Sequence, residues 1–226
     1  MNKPRTCAEI LAEARQLAES IASSLPKNVD AASLTLKSKV PFKVLSLREL
    51  LIHRVSALAS PAVTLFEQGK HVPAVVLTRS VLETVAIVFT LHKQLQEFLK
   101  TKDLLVLDNF LMNCLMASRW PNATHHARSI LKFVDHVDKK IPGFRQTYDS
   151  LSEYAHPNWC GVSGAFGETD RENHILILGP NERTTVYESG VTALSGSLLT
   201  MHHFYNDMVG ILHQLNDHFE SQSREA

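Results

Sequence analysis

The chain has 226 residues, of which 44% are apolar and 20% are charged, and its 23 basic residues balance its 23 acidic ones. This is the composition of a globular protein that needs no disulfide or metal for stability. The zero formal net charge argues against a protein that coats nucleic acid by charge alone. The three cysteines, Cys7, Cys114 and Cys160, are far apart, as is typical of reduced thiols, so we expect a cytoplasmic protein.

Helical start and stop signals fill the first two thirds of the chain. Thr6 followed by Glu9 has the spacing of a capping box and predicts a helix that ends before Pro26. Residues 27–45 lack a clear period, so we interpret 1–45 as an N-terminal helix and linker. The start and stop signals within residues 46–158 predict the helices of the bundle. These are expected at about 46–68, 73–100, 102–118, 123–140 and 144–155.

The pattern changes after residue 158, where glycines become frequent. Two short β-rich runs, 174–178 and 184–187, flank a Gly-Pro-Asn-Glu-Arg turn and predict a β-hairpin insertion over 159–187. A last helix is expected over 188–221. The sequence therefore predicts one mainly all-α domain over 1–226, an up-down helical bundle with a small β-hairpin insertion before the last helix.

The most apolar window, residues 72–91, has the composition of a membrane span except for two charges. Arg79 and Glu83 lie near its centre, and each would cost roughly 2.5–3.5 kcal/mol in a bilayer. We therefore interpret the window as the central helix of a soluble core and expect no membrane partner. The two charges are four positions apart and share one helix face. Because buried charges need partners, they are either a structural ion pair or part of a site.

The segment 148–158 holds a second group of polar residues. Tyr148 and Ser152 share one helix face, and Ser152 and His156 also share a face. Pro157 ends the helix directly after His156. A histidine at such an end is near a surface or cleft, where it could take and give a proton near neutral pH. Alternatively, His156 has no role in a site, and its ring interacts only with the negative end of the helix dipole.

One half of a metal motif is also present. Glu153-x-x-His156 matches the Glu-x-x-His pair of carboxylate di-iron bundles, which need a second such pair. No second pair occurs, and Glu49 with His53 is a looser match. A metal bundle would require a second carboxylate–histidine pair facing Glu153 and His156. We expect no metal and no other cofactor.

Two motifs carry a resemblance to a known family. The RSxxE motif at 79–83 and the YxxLSxxxHP motif at 148–157 resemble an uncharacterised bacterial family of HEPN-like helical proteins, over roughly residues 46–215. HEPN domains are helical bundles that often form dimers. Many are metal-independent ribonucleases of toxin–antitoxin, phage-defence and stress systems, with an arginine and a histidine in the active site. The resemblance implies a cytoplasmic homodimer that cleaves or binds RNA.

The ribonuclease hypothesis gives each candidate residue a role. His156 would take the proton from a ribose 2′-OH that attacks the adjacent phosphate, Arg79 would stabilise the developing charge, and Glu83 would hold Arg79. Tyr148 and Ser152 would orient the substrate or His156, and Asn158, directly after the second motif, would also bind the substrate. DNA lacks the 2′-OH, so no DNA partner is expected.

The alternative hypothesis is a non-enzymatic scaffold or dimerisation protein. In that case Arg79, Glu83 and His156 form a buried polar network that fixes the bundle. Exposure distinguishes the two hypotheses, because a site requires Arg79 and His156 to converge in an open cleft.

Overall fold

The computed structural model describes residues 4–181 and 184–221, and helices dominate them. Within these ranges the chain forms eight α-helices, which make up 72% of the structure, and one two-stranded antiparallel hairpin before the final helix. The predicted mainly α-helical bundle with a small hairpin is confirmed. The helices are α1 Cys7–Ser23, α2 Val40–Glu67, α3 His71–Thr101, α4 Leu104–Met116, α5 Ile130–Asp138, α6 Phe144–Ala155, α7 Ser163–Phe166 and α8 Thr184–Ser221.

The first helix begins as the sequence predicts. The Thr6 hydroxyl accepts from the Glu9 amide at 3.3 Å, and the Glu9 carboxylate accepts from the Thr6 amide at 2.7 Å. This capping box satisfies donors that the first turn of a helix otherwise leaves unpaired.

The predicted linker over 27–45 is wrong at its C-terminal end. Helix α2 begins at Val40, before the start at about residue 46 that the sequence predicts. Pro41 is compatible with the first helical turn because its missing N–H would have no helical acceptor there. Val40, Val44 and Leu47 are buried on one face of this earlier start, and their helical spacing is the signal that the proline obscured.

Helix α3 is the centre of the bundle and packs against α2, α4, α5, α6 and α8. Its apolar side chains are buried on most faces, among them Val81, Leu82, Val85, Phe89 and Leu95. In the described part of the chain it is the one helix long and apolar enough to cross a membrane, yet most of its apolar window is covered by the other helices. It is therefore the core helix that the sequence predicted.

The fourth bundle helix is shorter than predicted. Residues 117–129 are irregular, and α5 covers only Ile130–Asp138. Most side chains between 117 and 129 are exposed, so this stretch has no apolar face whose burial would offset the entropy of ordering a helix.

One of the two predicted strands of the hairpin is confirmed, and the other is wrong. Strand β1, Gly167–Asp170, pairs with β2, Ile175–Leu178, in the register Gly167↔Leu178 and Asp170↔Ile175. The Asp170 carboxylate closes the connection by accepting from the Glu172 and Asn173 amides at 3.0 Å each. The insertion predicted over 159–187 contains this hairpin, but the strand that pairs with 175–178 precedes it in the chain instead of following it.

Residues 184–187, predicted as a strand, instead begin α8, so the predicted start of the last helix at 188 is wrong. Within the predicted turn, Glu182 and Arg183 lie outside the described residues. Val186, Leu194 and Leu198 are buried at helical spacing. Between them lies Gly190, where a Cβ atom would fall 2.6 Å from the Phe66 ring, so the close contact of α8 with α2 requires glycine.

Candidate functional site

Four of the six predicted site residues meet where α6 crosses α3. Arg79 Nε donates to Ser152 Oγ at 2.8 Å, and Arg79 Nη2 contacts both the Tyr148 hydroxyl and Glu83 Oε1, the latter at 3.2 Å. The Tyr148 hydroxyl in turn donates to Glu83 Oε1 at 3.0 Å. We call these four residues, Arg79, Glu83, Tyr148 and Ser152, the Arg79 cluster.

The spacing within each helix explains why the Arg79 cluster forms. Arg79 and Glu83 are one turn apart on α3, and Tyr148 and Ser152 are one turn apart on α6, so each helix presents two side chains on one face. Where the helices cross, these faces meet, and the Arg79 guanidinium also lies 4.7 Å from the centre of the Tyr148 ring. The sequence identified the pairs, and the crossing joins them.

The Arg79 cluster is half-buried. The side chains of Arg79 and Glu83 keep 24% and 22% of their area exposed, whereas Tyr148 is buried. Burial raises the pKa of the Tyr148 hydroxyl above its ordinary value of 10.0, and the neighbouring Glu83 carboxylate raises it further. Tyr148 is therefore a neutral hydrogen-bond donor at physiological pH and not a base.

His156 lies outside the hydrogen-bonded Arg79 cluster. It follows the last residue of α6, and its amide donates to the Ser152 carbonyl at 3.1 Å, but its side chain is exposed. Among the described residues no hydrogen bond or ion pair joins its ring to Arg79 or Glu83. The predicted buried network of Arg79, Glu83 and His156 is thus wrong for His156.

Asn158 shapes the loop after α6. Its side chain donates to Glu153 Oε2 at 2.8 Å and accepts from the Gly161 amide at 3.1 Å. A Cβ atom at residue 161 would fall 2.1 Å from the His156 carbonyl oxygen, so this tight loop also requires glycine. Both ends of the Asn158 amide are therefore engaged within the protein.

A second polar cluster, which the sequence analysis did not identify, joins α2 to α8. Arg48 contacts the Glu49 carboxylate, and its Nε and Nη2 donate to the Tyr205 carbonyl at 3.3 and 3.0 Å. The Tyr205 hydroxyl donates to Glu49 Oε2 at 2.5 Å, and its ring centre lies 3.5 Å from the guanidinium. Burial raises the Tyr205 pKa above its usual range, and the hydrogen bond to Glu49 adds to this. We call these three residues the Arg48 cluster.

Sequence signals differ for the two clusters. Arg79 and Glu83 are conspicuous because they interrupt an apolar window. Arg48 and Glu49 lie in a helix with other polar residues, and their partner Tyr205 is far along the chain. No local pattern could have indicated that both charges are buried.

The predicted site has neither a group of metal-binding side chains nor a groove of its own among the described residues. Within the described residues, no three His, Cys, Asp or Glu side chains are grouped so that they could hold a metal ion. A groove of about 640 Å³ lies between α6 and α8, lined by apolar residues such as Leu82 and Leu151 and by polar ones such as Gln146 and Glu188. None of the six predicted site residues lines it.

Comparison of the chain with protein-family models, with curated proteins and with solved structures finds no match in any of the three. The HEPN-like family therefore stays an expectation that depends on the two short motifs.

Proposed function

We propose that this protein is a non-enzymatic helical scaffold in which the Arg79 cluster fixes α6 against the central helix α3. The observation that carries the proposal is that the protein itself engages the Arg79 guanidinium. Ser152, Tyr148 and the Glu83 carboxylate all contact it. A guanidinium that is already neutralised by a carboxylate has little charge left to attract a phosphate.

The surface near His156 supports the same proposal. The exposed face of α6 carries Asp149 and Glu153, which line one shallow depression together with Asp138 and Arg145. The Arg145 guanidinium donates to Asp149 at 2.8 Å and to Asp135 at 2.6 Å, so its charge is also compensated. RNA binding depends on uncompensated positive charge that displaces counterions from phosphates, and this face offers an acidic surface instead.

A metal-independent ribonuclease or RNA-binding protein is the second candidate, and one observation favours it. His156 is exposed one helical turn after Ser152, and Ser152 contacts an arginine that retains access to solvent. If Glu83 released Arg79 when RNA bound, His156 could act as the base for the 2′-OH and Arg79 could stabilise the phosphate. A bacterial HEPN-like role in defence or stress, in the cytoplasm, belongs to this second candidate.

An RNA cleavage assay distinguishes the scaffold from the ribonuclease. Purified protein would be incubated with labelled single-stranded RNA, with and without chelator, beside His156→Ala. His213→Ala, which changes an exposed histidine on α8, is the matched control. The scaffold proposal predicts no cleavage by any of the three proteins. Chelator-resistant cleavage that His156→Ala abolishes and His213→Ala retains would overturn the proposal and establish the ribonuclease.

A further inference from the structure

Strand β2 is a run of four aliphatic residues that are all exposed. Ile175, Leu176, Ile177 and Leu178 have 52, 61, 49 and 77% of their surface accessible to solvent. Soluble proteins protect an edge strand with charges, proline, a bulge or a covering element. Strand β2 is short, which also protects an edge, but its four residues include no charge and no proline and their side chains are uncovered. Exposed apolar surface of this kind marks an interaction site.

The two strands of the hairpin differ in their suitability for pairing. Strand β1 carries the charged side chains of Glu168 and Asp170, which disfavour pairing at its outer edge. The four residues of β2 carry no charge and all have high β-propensity or large apolar side chains. Another strand would therefore pair with the outer edge of β2 and not with the outer edge of β1.

The backbone of β2 shows which groups that strand would meet. The Gly179 amide donates to the Phe166 carbonyl at 3.0 Å, and hydrogen-bonded pairs alternate along an antiparallel ladder. Ile177 and Ile175 therefore direct their N–H and C=O groups towards β1. Leu176 and Leu178 direct theirs outward, away from the hairpin.

We propose that β2 pairs antiparallel with β2 of a second copy of this chain, with the twofold axis at Ile177. In this register Leu176 faces Leu178 of the second copy, and both outward-facing pairs exchange two hydrogen bonds. A shift of register in one direction would require His174, whose φ of 55° is incompatible with a strand. A shift in the other direction would require Pro180, which has no N–H.

A second copy fits this strand for three reasons. The contact is self-complementary, because the same aliphatic strand lies on both sides of the axis. The formal net charge is zero, so two copies do not repel each other strongly. Trp159, Val162 and Phe166, in the segment leading into the hairpin, are also exposed. These side chains add exposed apolar surface next to the hairpin, and a stable dimer interface needs more such surface than four residues supply.

The oligomeric state of the whole chain tests the proposal, and it does so independently of the scaffold proposal because no residue of the Arg79 cluster lies in the hairpin. Ile177→Lys would place two ammonium groups against each other at the axis. Glu168→Lys is the matched control, because Glu168 is directly opposite Ile177 on β1. Analytical ultracentrifugation should show a wild-type dimer, a dissociation constant raised by about 100-fold in Ile177→Lys, and a retained dimer in Glu168→Lys.

Crosslinking tests the register without depending on a disruptive variant. Across the axis the two Ile177 residues form a non-hydrogen-bonded pair with Cα atoms about 4.5 Å apart, within disulfide reach. Ile177→Cys should form a disulfide-linked dimer under mild oxidation, and Glu168→Cys should not. A monomeric wild-type chain at every concentration, a dimer that Ile177→Lys leaves unchanged, or equal crosslinking by both cysteine variants would overturn the proposal.

Discussion

Two clusters of an arginine, a glutamate and a tyrosine connect helices of this bundle, and they differ in their access to water. Arg48 and Glu49 are each only 7% exposed, and Tyr205 provides both a carbonyl and a hydroxyl to them. Arg79 and Glu83 keep about a quarter of their side-chain surface in solvent. The same three residue types thus occur once inside the bundle and once at its rim.

This difference in exposure determines how much stability is lost when one residue of an arginine–glutamate pair is removed. In the Arg48 cluster a released carboxylate would have no water to solvate it, so both charges depend on each other. In the Arg79 cluster water can replace a lost partner, so each contact contributes less. The effect of an arginine–glutamate pair on stability is therefore better judged from its exposure than from its residue types.

Removal of the buried arginine should have the largest effect on stability. Arg48→Met leaves Glu49 charged and buried, and we expect the free energy of unfolding to fall by about 3–5 kcal/mol. Urea unfolding followed by circular dichroism measures this. The double variant Arg48→Met/Glu49→Leu removes both charges and should recover most of the loss. A loss below about 1 kcal/mol in the single variant would show that water reaches the Arg48 cluster.

A smaller effect is expected from a buried histidine. His92 on α3 is buried, its Nε2 lies 2.5 Å from Asp207 Oδ2, and its Nδ1 has no hydrogen-bond partner among the described residues. Burial lowers the pKa of His92 below its ordinary value of 6.5, although Asp207 opposes the shift. The unfolded state therefore binds more protons than the folded state near this pH.

His92 makes the folded chain less stable at acidic pH. The contribution of His92 to stability is complete above pH 6.5 and is lost as the pH falls through its lowered pKa in the folded state. The wild-type chain should become less stable on acidification below pH 6.5, and His92→Gln should flatten this dependence. His213→Gln, at an exposed position on α8, should leave the slope unchanged. Equal slopes for wild type and His92→Gln would contradict the assignment.

The fold was predictable to the extent that its signals were local. The capping box at Thr6, the apolar window around α3 and the proline after His156 each identified a helix or its end. The strand pairing was not predictable in the same way. Residues 184–187 are three β-branched residues and a tyrosine, which favour a strand, yet they begin a helix that buries Val186. Tertiary burial overrode local propensity there.

The site was predictable only in part, for a related reason. Arg79 and Glu83 could be recognised because charge is rare in an apolar helix, and Tyr148 and Ser152 because they share a face of α6. The position of His156 depended on where α6 ends and on the direction of its side chain, which spacing alone does not determine. The burial of Arg48 depended on Tyr205, a residue on the last helix.

A double-mutant cycle between Arg79 and Tyr148 tests most directly whether the Arg79 cluster is structural. Urea unfolding of Arg79→Met, Tyr148→Phe and the double variant would give the coupling free energy. We predict that Arg79→Met lowers the free energy of unfolding by about 1–2 kcal/mol and that the two residues are coupled by about 1 kcal/mol. Arg79→Met that is as stable as the wild type or more stable, with no coupling, would contradict the account, because residues kept for function commonly do not contribute to stability.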